Sequence, residues 1–144
     1  MPVDKNTSTV VIAAPFDTVM ETIRDVEGQA EWVKEIHAAT LLEEYEDGLP
    51  ATARFDAKTG IGEDVYTLEY EHEDDAMTWT LVESKLMKRQ DGAYRVRDLG
   101  DGNTEVALTL EIDHSLHAPG FVRSRVFKKF VGGTVNALKV HLES

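Results

Sequence analysis

Tyr66, Tyr70 and Tyr94 lie in segments where apolar residues alternate with polar ones. From such positions a phenol could hydrogen-bond a substrate carbonyl or supply a proton. Arg54, Arg95 and Arg97 could stabilise an enolate if they faced the same way. Strand parity with Phe55, Tyr94 and Val96 instead turns these arginines outward. The histidines are His37, His72, His114, His117 and His141, and no H-E-x-x-H occurs among them. His114 and His117 straddle the end of an expected strand and the loop behind it, with no third ligand in view, so no metal site is expected. Polar contacts or proton transfer suit that pair better than a metal, and ordinary loop histidines are the favoured reading. The acidic runs E-E-Y-E-D at 43–47 and E-Y-E-H-E-D-D at 69–75 lack calcium-loop spacing and read as solvated hairpin ends. There is no G-x-S-x-G, phosphate loop or dinucleotide fingerprint, and T-G-I-G at 59–62 is a turn. The absence of cysteine removes disulfides, thiolate metal sites and cysteine nucleophiles together. No catalytic residue is assigned and no cofactor is expected.

The elements that must position these side chains follow from periodicity. A first strand is expected over 7–13, with Val10 and Ile12 on one face and Thr9 and Val11 on the other. Pro15 suits the first helical position, Asp17 complements the helix dipole, and Phe16, Val19, Met20 and Ile23 form a helical stripe. Gly28 breaks this helix, and 29–34 forms a second short one carrying Trp32 and Val33. Strands are then expected over 37–46, 51–58, 63–71, 76–83, 86–96 and 104–114. The short turns at 46–50, 59–62, 73–75 and 101–103 make neighbours pair as antiparallel hairpins. The inner face takes Ala53, Phe55 and Ala57; Tyr66, Leu68 and Tyr70; Met77, Trp79 and Leu81; and Val106, Leu108, Leu110 and Ile112. A long helix covers 119–142, with Val122, Val126, Phe130, Val135, Leu138 and Leu142 as its apolar stripe and Arg123, Lys128, Lys129 and Lys139 on wetter positions. Gly132-Gly133 in its middle reads as close packing against the sheet, or alternatively as a bend beside a cavity.

The fold class is therefore α+β: a seven-stranded curved antiparallel sheet, two short helices after the first strand, and a long C-terminal helix inside the curve. The 144 residues suit one domain over 1–144. A helix about 10 Å wide cannot fill the concavity of such a sheet. Large side chains must fill the remainder, or it stays a pocket with apolar walls and a few hydroxyls. The net charge of -12 disfavours nucleic acid and anionic membrane surfaces. No apolar run approaches the roughly 20 residues of a membrane span, and no signal-peptide core opens the chain. A soluble cytoplasmic protein without integral membrane association is expected. Nothing in the sequence specifies its oligomeric state.

The order of these elements, with A-A-P-F-D-T-V at 13–19, D-V-E-G-Q-A-E-W-V at 25–33, M-T-W-T-L-V-E-S-K-L at 77–86 and D-G-A-Y-R-V at 91–96, resembles the START-like superfamily. This group is also called SRPBCC or helix-grip. The branch resembled is the polyketide cyclase/dehydrase and lipid-transport family, especially its small actinobacterial members, from about Thr7 to Leu142. The resemblance implies a hydrophobic cavity between sheet and long helix, entered near the short helices. Relatives bind lipids, sterols, polyketides, quinones or plant hormones, and some are aromatase/cyclases. Pro15 and Trp32 match recurrent family positions of structural character, and no catalytic residue carries over. The expected function is carriage or sequestration of a small hydrophobic ligand such as a lipid, polyketide or isoprenoid. The alternatives are a polyketide cyclase, aromatase or dehydratase, and a protein-interaction module. Candidate cavity residues are Phe55, Tyr66, Leu68, Tyr70, Trp79, Leu81, Tyr94, Leu108, Leu110, Val126 and Phe130.

Overall fold

The computed structural model describes residues 3–59, 62–114 and 119–144. Its elements are β1 (Val3–Ile12), α1 (Phe16–Arg24), α2 (Gln29–Trp32), β2 (Ile36–Glu44), β3 (Pro50–Thr59), β4 (Gly62–Glu73), β5 (Ala76–Ser84), β6 (Met87–Gly100), β7 (Asn103–His114) and α3 (Gly120–Glu143). The strands form one seven-stranded antiparallel sheet in the order β1-β7-β6-β5-β4-β3-β2. Every consecutive pair from β2 to β7 is a hairpin, and β1 closes against β7. This is the helix-grip architecture expected from the sequence.

β1 begins at Val3, before the expected start at Thr7. Its polar run D-K-N-T-S-T carries no alternation signal, but it pairs continuously with β7 from Val3↔Asp113 to Ile12↔Thr104. The β7 template supplies what local sequence does not. Pro15 is the N-cap of α1, and its carbonyl accepts the amide of Val19 at 3.0 Å. Val19, Met20 and Ile23 are buried as the stripe requires. The helix stops at Arg24 rather than at Gly28, and Gly28 instead caps α2. The buried hydroxyl of Thr104 donates to the Ala14 carbonyl at 2.7 Å, tying the start of β7 to the turn between β1 and α1.

The apolar stripe of α3 is rotated from the expected one. Phe127, Val131, Thr134, Val135 and Leu138 are buried, whereas Val122 and Val126 are exposed at 39% and 44%. The helix rests mainly on β1 and more lightly on β7. That edge position turns Phe127 and Val131 inward, which no period within the helix could announce. Arg123 was expected to be wet, but its guanidinium pairs with the buried carboxylate of Asp4 at 3.1 Å. Lys139 is tied down as well, donating to the carbonyl of Val11 at 2.6 Å and to Glu143 at 2.7 Å. The helix runs through Gly132-Gly133 without interruption. A Cβ on Gly132 would lie 3.6 Å from Ser8 Oγ, an ordinary contact, and one on Gly133 would meet nothing within 4 Å. Close packing therefore does not require Gly133.

Candidate functional site

Because α3 covers one edge of the sheet, the inner faces of β3 to β6 are left to line a space between sheet and helix. Its volume is about 120 Å³. Aromatic side chains cross its sheet wall. Phe55 on β3 stacks on Tyr66 of β4 with centroids 5.4 Å apart, and Trp79 on β5 lies 6.1 Å from Tyr70 and 5.5 Å from Tyr94. Alternation on each strand puts these rings on one face, and hairpin register makes them neighbours.

The sequence candidates Phe55, Tyr66, Leu68, Tyr70, Trp79, Tyr94, Leu108, Leu110, Val126 and Phe130 all border this space. Leu81 does not; it packs half-buried against the core. A register shift next to the Leu68↔Leu81 pair explains the difference, since a bulge re-aims the side chains beside it. Arg54, Arg95 and Arg97 are exposed on the outer face, as their parity indicates, and Arg97 pairs with Glu105 at 3.2 Å.

Several polar wall residues were not legible in the sequence. Asp4, Gln29, Asp64, Gln90, Arg123 and Thr134 border the space. Gln90 shares strand parity with Tyr94, the one signal that could have found it. Its Oε1 accepts the Trp79 indole N–H at 2.8 Å, which fixes the ring plane. Asp64 is buried and accepts the Ser84 hydroxyl at 2.5 Å and the Lys85 amide at 2.8 Å, so it holds the turn between β5 and β6. The Asp4–Arg123 pair joins the first strand to the first turn of the last helix, 119 positions apart in sequence.

The hydroxyls of Tyr66, Tyr70 and Tyr94 make no hydrogen bond with a described residue. Burial pushes all three phenols well above their ordinary range. At Tyr66 the negative charges of Asp64 and Glu35 add to the effect of burial. They are therefore protonated donors at neutral pH rather than bases.

The histidines are dispersed. His72 Nε2 lies 2.8 Å from the Pro50 carbonyl, and His141 stacks on Trp32 at 6.4 Å. His37 is exposed on β2. His117 lies outside the described residues, as does the side chain of His114, so the pair singled out in the sequence has no described geometry. Among the described residues no group of three potential metal ligands converges, and no helix is long and apolar enough to cross a membrane.

The chain is similar in structure to a START superfamily protein from Mycobacterium smegmatis. The TM-score is 0.89 at 21% identity, covering 96% of this chain and 97% of the other. It is similar also to the Zhui aromatase/cyclase from Streptomyces sp. R1128, with TM-score 0.83, 18% identity and coverage of 99% and 94%. A STAR-related lipid transfer protein from Xanthomonas axonopodis matches at TM-score 0.72, 19% identity and coverage of 97% and 86%. No curated protein matches the chain. The family described as polyketide cyclase / dehydrase and lipid transport matches residues 4–143, which is nearly the whole chain. With a curved sheet gripping a terminal helix and an aromatic-walled space between them, the chain belongs to the polyketide cyclase/dehydrase and lipid-transport family.

Proposed function

We propose that the protein binds a small hydrophobic molecule carrying a carbonyl or hydroxyl group between the sheet and α3, as a carrier or sequestering protein. The observation that carries this reading is the pairing of an apolar wall with the hydroxyls of Tyr66, Tyr70 and Tyr94, which have no hydrogen-bond partner among the described residues. An apolar body would be driven in by the hydrophobic effect, and the phenols would orient its polar end. The expected candidates Phe55, Leu68, Trp79, Leu108, Leu110, Val126 and Phe130 form the apolar contacts in this reading. The space is smaller than the roughly 300–1,000 Å³ of pockets holding drug-sized ligands. A compact ligand fits as the structure stands, and a longer one requires α3 to lift from the sheet.

Native mass spectrometry and lipid extraction of the purified protein test this reading, followed by affinity measurements on Tyr66→Phe and Tyr94→Phe. Each variant is expected to weaken binding about three- to tenfold, the equivalent of one hydrogen bond. Unfolding stability should be unchanged, because neither hydroxyl serves the fold. A protein that retains and takes up no apolar molecule would overturn the reading.

A second reading is cyclisation or dehydration of a polyketone. It is favoured by the likeness to an aromatase/cyclase and by the same protonated phenols, which could polarise a carbonyl. Turnover of a polyketone that falls in Tyr66→Phe would select it over simple carriage.

A further inference from the structure

We propose that the end of the molecule where α3 begins docks on an anionic lipid bilayer. The inference rests on charge and exposure, and it stands apart from whether the internal space is filled. The chain has 27 acidic residues, yet the sequence from His114 to Leu142 contains none. Arg123, Arg125, Lys128 and Lys129 fall close together within this stretch. Arg123 is engaged with Asp4. Arg125, Lys128 and Lys129 are exposed and make no ion pair with a described residue.

The same helix face is apolar between its cations. Phe121 is 70% exposed, and Val122 and Val126 are exposed beside it. At about 100° per residue, Phe121, Arg125, Lys129 and Val122 fall within roughly 100° of arc, with Val126 next to them. On this exposed face the bare phenylalanine and valines can enter the interface while the neighbouring guanidinium and ammonium groups meet anionic headgroups. An acidic protein surface would match the charges but gives no reason for a bare phenylalanine among them.

The topology sets the remaining charges to suit the same orientation. Antiparallel order puts the start of β1, the β3–β4 and β5–β6 turns and the start of α3 at one end. The β2–β3, β4–β5 and β6–β7 turns lie at the other. The α3 end carries exposed Lys58, Lys85 and Lys88, with exposed Glu63 and Glu83 and half-buried Glu35 and Asp113 as acidic neighbours, and exposes Val3. The far end carries exposed Glu46, Asp47, Asp74, Asp75, Asp98 and Asp101. The net charge of -12 is thus concentrated away from the helix start. Screening over about 8–10 Å lets a local basic face act against the sign of the whole. The expectation that anionic membranes are disfavoured came from net charge alone and took no account of this polarity. Val126 belongs to both the exposed face and the wall of the internal space, so the docked face adjoins the space itself.

The test is co-sedimentation of the full chain with phosphatidylcholine vesicles, with and without phosphatidylglycerol, at low and high salt. Binding is expected only with phosphatidylglycerol, and high salt should weaken it. Arg125→Gln/Lys128→Gln/Lys129→Gln should lower partitioning on the order of a hundredfold, and Phe121→Ser by roughly tenfold. The substitutions lie at exposed positions, and the two variants are independent, so a folding failure in one leaves the other decisive. Absence of binding, equal binding to both vesicles, or a triple variant that binds like the parent would overturn the proposal. Binding unaffected by Phe121→Ser would overturn the insertion of this helix face, since charge alone would then hold the protein on the vesicle. A salt-sensitive dimer abolished by the triple variant, with no vesicle binding, would overturn the proposal and assign the patch to a second copy of the chain. Vesicle binding without a retained ligand leaves this proposal standing and removes the ligand reading; the reverse result does the opposite.

Discussion

Replacing Gly92 by alanine tests whether the wall of the internal space is built as described. Gly92 on β6 pairs with Trp79 of β5 on one side and with Leu110 of β7 on the other. The indole of Trp79 lies across the glycine. A Cβ there would sit 2.1 Å from Trp79 Cε2, 2.3 Å from Cζ2 and 2.4 Å from Nε1. Ordinary contact begins near 3.4 Å, so the ring must move by more than about 1 Å, and the free direction is into the space. That movement breaks the 2.8 Å bond from the indole N–H to Gln90. Overpacking of this kind costs about 1–3 kcal/mol, and the stranded amide oxygen of buried Gln90 adds about 1–3 kcal/mol. Alanine regains about 0.5–1 kcal/mol over glycine in a strand. The net loss is therefore about 1–5 kcal/mol, a fall in melting temperature of roughly 3–15 °C for a domain of this size. Urea unfolding measures the loss. In a Trp32→Phe background, which leaves Trp79 as the single tryptophan, the emission of Trp79 should shift as its surroundings change. A Gly92→Ala protein with the parent's unfolding midpoint and emission would refute the placement of the indole, and with it the arrangement of the aromatic wall.

Gly133→Ala should raise stability by about 1 kcal/mol, since it removes a mid-helix glycine into open space; a destabilised variant in urea titration would show a constraint at that position. Arg123→Met should destabilise by about 3 kcal/mol, because it removes the guanidinium that pairs with the buried Asp4 carboxylate, and the double change Asp4→Leu/Arg123→Met should recover much of that loss in the same titration. The pH prediction concerns His72. Its pKa is lowered chiefly by burial, with Arg24 adding to the effect and the Pro50 carbonyl and Asp47 opposing it. A folded-state pKa below the unfolded value near 6.5 means that His72 contributes stability above pH 6.5, lost as the pH falls toward its folded pKa. Unfolding midpoints measured from pH 7.5 to 5 should therefore fall less steeply in His72→Gln than in the parent, and identical slopes would rule the contribution out.

Where a feature repeats along the chain, the residues announced it. The alternation Val106, Leu108, Leu110, Ile112 and the stripe Phe16, Val19, Met20, Ile23 each record one buried face at the period of its own element, and both are inward in the fold. The aromatic wall followed because Phe55, Tyr66, Tyr70, Trp79 and Tyr94 occupy inward strand positions. Leu81 lies outside the space because a bulge breaks the period locally, and a bulge leaves no reliable mark in composition. The start of β1 was missed because its pairing energy resides in β7. The stripe of α3 was misplaced because a helix with apolar residues on several sides can be docked at more than one rotation. Only contact with β1 selects Phe127 and Val131 and leaves Phe121, Val122 and Val126 bare. The Asp4–Arg123 pair is a meeting of distant residues and has no local signature. Net charge was likewise readable by counting, whereas its separation into a basic and an acidic end depends on which turns the antiparallel order brings together. By itself, then, the sequence determined the elements, their order and the apolar character of the inner face, because these are short-range periodic properties. The tertiary structure alone decided the rotation of α3, the polar groups on the cavity wall and the polarity of the surface, because each depends on where chain segments far apart in sequence come to rest against one another.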